Sequence, residues 1–522
     1  MATAVILSFI LGYVLIVFEH PLRLDKTVPA LLMGSIAWAL LSLGFNNGSL
    51  SIVDSHEHIF MLTQTGIDAV HQLFSGISQF DSPNALMAAF TDMIHSSSMG
   101  LGEAGQASIL DSMREAVEHM EHDHTAFTEA NVIHAFEDVQ HHGFDNSLLH
   151  HLGKTAEILI FLIGAMTIVE LVDLHQGFDI LKDWVDTRSK RRLLWIMGAL
   201  GFILSAIIDN LTATIVLVTL LRKIIPDKTE RLWYAGMIVI AANAGGAWSP
   251  IGDVTTTMLW IGDKVSTMGL IQNLVLPSII CFVVPFVIAT YMKVFSGEIT
   301  VDDLERDHES RQLLSSRTML FLGLGMIVFV PIFKTITHLP PYVGMMLSLG
   351  VVWLVSEYIH PEEEFKEQHR HHYSAHKALS RIEMSSILFF LGILMAVAAL
   401  ETLVVGDVGA LRYVAERLDS AVPNQNVTII ILGFLSAIID NVPLVAASMG
   451  MYDWPTDSNF WHFIAYSAGT GGSMLIIGSA AGVAAMGMEK IDFIWYFRKV
   501  AWLALVGFLA GAGVFLLMQN LF

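Results

Sequence analysis

The sequence has a single cysteine among 522 residues, Cys281. That excludes an intramolecular disulfide and any metal site built from several thiolates. Its place in an apolar run marks Cys281 as a buried structural thiol. Charge is scarce too: 15% of residues are Asp, Glu, Lys or Arg, where soluble domains carry about 25%. Basic residues are the scarcer kind, 28 Lys and Arg against 49 Asp and Glu. They gather in no tract of the kind that binds nucleic acid, so no nucleic-acid partner is expected. The opening stretch, MATAVILSFILGYVLIVF, lacks a basic n-region and a small-residue cleavage site. It reads as a first span, not as a signal peptide.

What the chain has in quantity is apolar sequence. Hydrophobic residues make up 54% and the mean hydropathy is +0.59. A span of hydrocarbon takes about 17–25 apolar residues in a helix. Candidate runs are 3–18, 28–44, 157–174, 193–208 with 211–221, 232–260 and 270–292. They continue with 317–333, 341–358, 383–400, 427–439 with 442–452, 460–488 and 495–520. The expected fold class is an all-α polytopic membrane protein, with the lipid bilayer as its surroundings. Its expected parts are residues 1–49 (two spans), 50–152 (a polar insert), 153–292, a linker 293–316, and 317–522.

Two phrases organise the rest. SAIIDNLTAT (Ser205–Thr214) puts Asp209 and Asn210 inside an apolar run, and SAIIDNVPL (Ser436–Leu444) does the same with Asp440 and Asn441, 231 residues later. A charge at the centre of a span costs roughly 3 kcal/mol on insertion scales, so membrane acids are functional candidates by default. The repetition extends further. GGAWSPIGD (Gly245–Asp253) aligns with GGSMLIIGS (Gly471–Ser479), and FLIGAMTIVELVD (Phe161–Asp173) with FFLGILMAVAALE (Phe389–Glu401). Ile16–Phe18 aligns with Ile327–Phe329 at a larger offset, as expected if the polar insert exists only in the first half.

Lysine and arginine fix an orientation. With loop 175–192 on the cytoplasmic side, only Arg114, Lys154, Lys264, Lys334, Arg412 and Arg417 of the 28 basic residues fall outside cytoplasmic segments. The run 193–208 follows Lys190, Arg191 and Arg192, and the run 211–221 precedes Arg222 and Lys223. Basic clusters at both ends, with a second arm of 11 residues, predict a re-entrant hairpin with Asp209–Asn210 at its tip. The same topology predicts that the two halves are inverted repeats. That is the plan of secondary transporters whose ion sites lie at broken helices.

Each half supplies two expected breaks, a hairpin tip and a Gly-rich interruption. Hard cations prefer oxygen ligands. Asp209, Asn210, Thr212, Asp440 and Asn441 at the tips offer them, with a bound Na⁺ expected at Asp209, Asn210, Asp440 and Asn441. Asn243, Ser249, Asp253 and Thr255 at the first interruption, and Thr470, Ser473 and Ser479 at the second, add donors. A membrane carboxylate that takes either a proton or a cation would make the two compete for one site. Glu170, Asp173, Glu157 and Glu401 are candidate relay acids; Glu170 and Asp173 share a helix face.

The insert is acidic and rich in histidine. Residues 51–150 hold 15 Asp and Glu, one Arg (Arg114) and 11 of the 22 His, with EHMEHDH at Glu118–His124 and the pair His141–His142. Histidine titrates near neutrality, so pH sensing is one reading. No tight metal-ligand spacing is present, and a solvated helical extracytoplasmic segment is the expectation. HRHHYSAH (His369–His376) poses the same question on the other side.

At AEILIFLIGAMTIVELVDLHQGF (Ala156–Phe178), SAIIDNLTATIVLVTLLRK (Ser205–Lys223), AANAGGAWSPIGDVTTTMLW (Ala241–Trp260) and SAIIDNVPLVAA (Ser436–Ala447), the sequence resembles the NhaD-type sodium/proton antiporters of the ion-transporter superfamily. The resemblance covers nearly the whole chain outside the insert. It implies export of Na⁺ or Li⁺ in exchange for H⁺ through a bacterial inner membrane, with no cofactor. It also implies two hairpins, two unwound helices and a homodimer with an elevator-like motion. Matched by motif, it points to Asp209, Asn210, Thr212, Asp253, Asp440 and Asn441, with Glu170 and Asp173 beside them. The alternatives are an oxyanion or dicarboxylate permease of the same architecture and, more remotely, an intramembrane aspartyl protease using two membrane acids. The permease should present neutral or basic donors at the tips, whereas both tips here carry acids.

Overall fold

A computed structural model of the chain describes all of it except residues 19–21, 48, 55–58, 61–63, 97–102, 182–184, 186, 300–312, 360–372, 407, 439 and 522. The expected cytoplasmic residues Lys182, Arg306, Arg311, Lys366 and Arg370, and the histidines His369, His371 and His372, lie outside the described residues.

The chain opens with α1 (Ala2–Val17), α2 (Thr27–Asn46), β1 (Ile52–Val53), β2 (Ile59–Phe60), α3 (Gln64–Leu73), β3 (Gln79–Phe80), α4 (Pro83–Ser96), α5 (Glu103–His122), β4 (Phe127–Thr128) and α6 (Glu129–Leu174). It continues with α7 (Lys190–Ile208), α8 (Asn210–Ile224), α9 (Lys228–Gly246), α10 (Val254–Ile261), α11 (Thr267–Thr290), α12 (Ser316–Thr337), α13 (Pro341–Tyr358) and α14 (Ala375–Leu379). The last part is α15 (Met384–Thr402), β5 (Val404–Val405), β6 (Val408–Gly409), α16 (Ala410–Ala421), α17 (Gln425–Ser436), α18 (Asn441–Met451), α19 (Asn459–Gly471), α20 (Ala480–Glu489), α21 (Phe493–Lys499) and α22 (Ala501–Leu521). The strands form three two-residue antiparallel pairs, β1 with β2, β3 with β4 and β5 with β6. Among the described residues seven helices are long and apolar enough to cross a membrane: α2, α6, α7, α11, α12, α15 and α22. This is an all-α polytopic membrane protein.

The apolar runs of the sequence became helices nearly end for end, since in hydrocarbon a helix satisfies its own backbone groups. Caps fix several starts: Asp227 accepts from the Thr229 amide, Ser266 from Gly269 and Asp492 from Trp495, and Pro341 opens α13. Three features differ from the expected outline. The boundary expected at residue 152 lies inside α6, a single helix of 46 residues, about 69 Å long at 1.5 Å per residue. An extra helix, α16, stands between β6 and α17. The last apolar run is divided at Val500 into α21 and α22.

The chain folds as two compact units. The first comprises Met1–Ala156, Leu388–Ala421 and Gly450–Tyr452. In it α2 meets the part of α15 from Leu388 onward: a Cβ at Gly34 would lie 2.7 Å from the Gly392 carbonyl oxygen, and Trp38 Nε1 donates to the Met395 carbonyl at 2.8 Å. Small residues permit this close backbone approach. The insert has a core of its own. Val70, Leu73 and Phe74 of α3, Phe90 and Ile94 of α4, Met113, Val117 and Met120 of α5, and Val132, Phe136 and Val139 of α6 are buried together. It is thus a packed helical bundle, more than the solvated segment expected. Replacing Met113, fully buried, by Ala is expected to destabilise the bundle by about 2 kcal/mol. Hydrogen exchange should then quicken in α4 and α5 and stay unchanged in α11 and α22.

The second unit comprises Glu157–Ile387, Val422–Met449 and Asp453–Phe522. Its helices α7 and α8 pack against each other, α7 packs on α9, α8 on α20, α11 on α22 and α17 on α19. Since α7 and α8 are consecutive, the chain turns back at Asp209, the one residue between them.

Candidate functional site

The site is built from interruptions of helices in the second unit. At the first, α7 ends at Ile208, Asp209 stands alone, and α8 begins at Asn210. Asp209 has φ 84° and ψ 158°, a region populated almost only by glycine. Its side chain caps α8: Oδ1 accepts from the Thr212 amide at 2.8 Å and Oδ2 from Thr212 Oγ1 at 2.8 Å. At the second, α9 stops at Gly246 and α10 starts after Asp253. Asp253 caps α10, its Oδ1 accepting from the Thr255 amide at 2.8 Å and from Thr255 Oγ1 at 2.7 Å. The third lies between α17 and α18, where the Val442 amide donates to Asp440 Oδ1 at 3.4 Å. The fourth separates α19 from α20, which Ser479 caps by accepting from Gly482.

Two contacts recur at the interruptions of both sequence halves. Ser205 Oγ donates to the Ala242 carbonyl at 2.6 Å, and Ser436 Oγ to the Ala468 carbonyl at 2.7 Å. A Cβ on Gly245 would lie 2.1 Å from the Phe202 carbonyl oxygen, and one on Gly471 2.2 Å from that of Gly433. These glycines let α9 touch α7, and α19 touch α17, at the level of the interruptions. The two serines were not among the candidate residues, although their identical place in both Asp-Asn phrases was the available signal.

Asp253 is the hub. Asn210 Nδ2 donates to its Oδ2 at 2.5 Å, and Asn441 Nδ2 lies 3.3 Å from both of its oxygens. Asn210 Nδ2 also donates to Asn243 Oδ1 at 2.9 Å, and Asn243 Nδ2 donates to Ser479 Oγ at 3.0 Å. Asp253 is 1% exposed, Asn243 is fully buried, and Asn210 and Asn441 are 4% exposed each. Asp209 and Asp440 are half-buried, and each lies close enough to Asp253 for their charges to interact.

The structure therefore joins Asp209 with Thr212, and Asp253 with Asn210, Asn441, Asn243, Thr255 and Ser479, with Asp440 alongside. Three candidates are bonded locally instead. Thr470 Oγ1 donates to the Tyr466 carbonyl, Ser473 Oγ to that of Thr470, and Ser249 Oγ faces the Ile251 amide. Glu170 and Asp173 belong to a different cluster: Arg381 Nη2 donates to Asp173 Oδ2 at 2.6 Å, and its Nε is 3.1 Å from Glu170 Oε2. Glu157 is half-buried on α6, and Glu401 belongs to the first unit, beside Gly450. Among the described residues no three His, Cys, Asp or Glu side chains gather closely enough to share a metal ion, those of the insert included. In the central cluster the carboxylates are matched with neutral amides and hydroxyls.

Charge decides what such a cluster attracts. Helices α8, α10, α18 and α20 all begin in it, each N-terminus contributing roughly half a positive charge, about +2 together. Three ionised carboxylates contribute −3. The balance of about −1 favours a small cation over an anion. One proton taken up by a carboxylate brings the balance near zero.

Fold and site together define a class: polytopic helical membrane proteins with buried carboxylates and amides at helix interruptions. The profile of the citrate transporter family, CitMHS, matches residues 13–454. "Sodium/proton antiporter 1" of Arabidopsis thaliana is 48% identical over 384 residues, which cover 72% of this chain and 64% of that protein's own length. "Sodium/proton antiporter 2" of the same plant is 46% identical, covering 72% of this chain and 88% of that protein. The Na⁺/H⁺ antiporter NhaD of Alkalimonas amylolytica is 31% identical over 396 residues, covering 70% and 78%. The chain belongs to the citrate transporter family, together with the NhaD-type proteins that its Asp-Asn phrases resemble.

Proposed function

We propose that this protein exchanges Na⁺, and Li⁺, for H⁺ across a bacterial inner membrane by alternating access. The observation that carries this reading is the Asp253 carboxylate, held between Asn210 and Asn441 from the two Asp-Asn phrases. Asp209 and Asp440 stand half-buried beside it. In this mechanism the cation enters among oxygens of Asp209, Asp440 and the amides while the acids are ionised. Protonation removes the excess negative charge and releases the cation; deprotonation on the opposite side resets the site. Stepwise competition of this kind exchanges ions without a separate proton channel.

The reading includes two halves inverted in the membrane, re-entrant tips at Asp209–Asn210 and Asp440–Asn441, and an extracytoplasmic N-terminus and insert. It also includes assembly as a homodimer, with apolar side chains such as Leu7, Leu11, Phe321 and Ile332, exposed in the single chain, facing lipid or a second copy. The names of the sodium/proton antiporter relatives support the exchanged ions.

The family's title and the four helix N-termini favour one other reading, an anion permease for citrate or a related carboxylate. The charge balance weighs against it. The two are separated in inverted membrane vesicles carrying an imposed acid interior. Adding Na⁺ or Li⁺ is expected to dissipate the pH gradient, while K⁺ and citrate leave it standing. Sodium-stimulated citrate uptake with the gradient intact would overturn the antiporter reading.

A further inference from the structure

Helices α8, α9 and α20 are fastened to one another twice. At one end Asn210 of α8, Asn243 of α9 and Ser479 at the head of α20 are hydrogen-bonded in series within the cation cluster. At the other end stands a second cluster. Glu489, the last residue of α20, is 2% exposed. Arg222 Nε, in the last turn of α8, donates to its Oε1 at 2.7 Å, and Arg231 Nε, in the first turn of α9, donates to its Oε2 at 3.1 Å. Both arginines also cap helix ends. Arg222 reaches the Met488 carbonyl, and Arg231 Nη1 donates to the carbonyls of Ile225 and Pro226 at 2.9 and 2.7 Å. At 1.5 Å per residue, the two fastenings are about 15–18 Å apart.

A buried carboxylate engaged on both oxygens allows little sliding. If α8 slipped along α20, Arg222 would leave Glu489, and Asn210 would leave the line that Asn243 holds to Ser479. Sequence reading treated Arg222 and Arg231 only as signs of orientation, and Glu489 carried no role.

We infer that Glu489 is a positioning residue for the cation site: through Arg222 and Arg231 its carboxylate sets the register of α8 and α9 against α20, and so holds Asn210 and Ser479 at bonding distance from Asn243. The inference rests on the antiporter reading for its transport consequence and on geometry alone for its structural one.

Glu489→Gln keeps the side-chain size and leaves two arginines facing each other. Misplacement by about 1 Å is enough to cost up to a hundredfold in a preorganised site. In proteoliposomes the sodium concentration for half-maximal exchange is expected to rise at least tenfold. The maximal rate per folded protein should stay within twofold of wild type, and Glu489→Asp should restore most of the loss. Hydrogen exchange at the amides of Thr212 and Ala213, at the start of α8, should accelerate in Glu489→Gln. A merely structural role would lower the amount of folded protein and leave both half-saturation and α8 protection unchanged, which would overturn the inference. If wild type showed no sodium-driven exchange, the antiporter reading would fall. The α8 protection measurement would still decide the clamp, for or against.

Discussion

Asp253→Asn is expected to abolish sodium-driven exchange, by a factor on the order of a hundred to a few thousand, while the protein still inserts and folds. The substitution is nearly isosteric but replaces one acceptor oxygen by an amide donor. The wild-type carboxylate accepts from Thr255 on one oxygen and from Asn210 on the other, with Asn441 near both. An asparagine that keeps its oxygen toward Thr255 turns its own NH₂ toward two other NH₂ groups. Buried donors left without acceptors cost about 1–3 kcal/mol each, and the charge-assisted bonds are lost besides. Removing one partner of a buried hydrogen-bonded charge pair costs binding about 2–5 kcal/mol, here the binding of the cation, and each 1.4 kcal/mol is tenfold. The check is dissipation of the pH gradient in inverted vesicles, normalised to protein in the membrane. Exchange within threefold of wild type would remove Asp253 from the centre of the site.

A second result should separate stability from activity at Asp209. Its backbone, at φ 84° and ψ 158°, lies where side chains are disfavoured by about 1–3 kcal/mol. Glycine relieves that cost and replaces an Asp cap at a loss of only a few tenths of a kcal/mol. Alanine keeps the strain and loses the cap. In detergent, apparent melting temperatures are therefore expected in the order Asp209→Gly above wild type above Asp209→Ala. Both variants should lose sodium-driven exchange by at least a hundredfold. A glycine variant no more stable than the alanine one would show that Asp209 is unstrained, and exchange surviving in either would exclude it as a cation ligand. Strain retained at the cost of stability points to a residue kept for its chemistry.

Much of this was legible without coordinates because hydrocarbon leaves few choices. Apolar runs must become helices, and α13 begins and ends where its run does, at Pro341 and Tyr358. The repeated Asp-Asn phrases and Gly-rich interruptions fell at helix breaks, since acids, amides and glycines are what a span avoids elsewhere. The insert was read too loosely. Its spacing, as in Leu86, Phe90 and Ile94 or Met113, Val117 and Met120, is that of buried helix faces, but acids and histidines dominated its composition. Partnerships were not legible at all. Nothing in one dimension tells that Thr470 and Ser473 spend their hydroxyl protons on nearby carbonyls, or that Arg381 pairs with Glu170 and Asp173, about 210 residues earlier. Asp253 stood among twelve site candidates, behind the two Asp-Asn pairs at which the Na⁺ was expected; its two asparagine donors place it at the centre.

The two interruptions that follow α9 and α19 differ in the groups they present: Asn243, Asp253 and Thr255 align with Gly469, Ser479 and Ala481. Asp253 caps α10, and its counterpart Ser479 caps α20. A protein whose two halves were related by an exact two-fold axis in the membrane plane would offer an arriving ion the same affinity from either face of the bilayer. With the third acid in the first sequence half only, the two halves do not present equivalent groups to an ion. An exchanger built this way holds its ion with unequal affinity from the two faces, while the gradients of Na⁺ and H⁺ alone set the direction of net exchange.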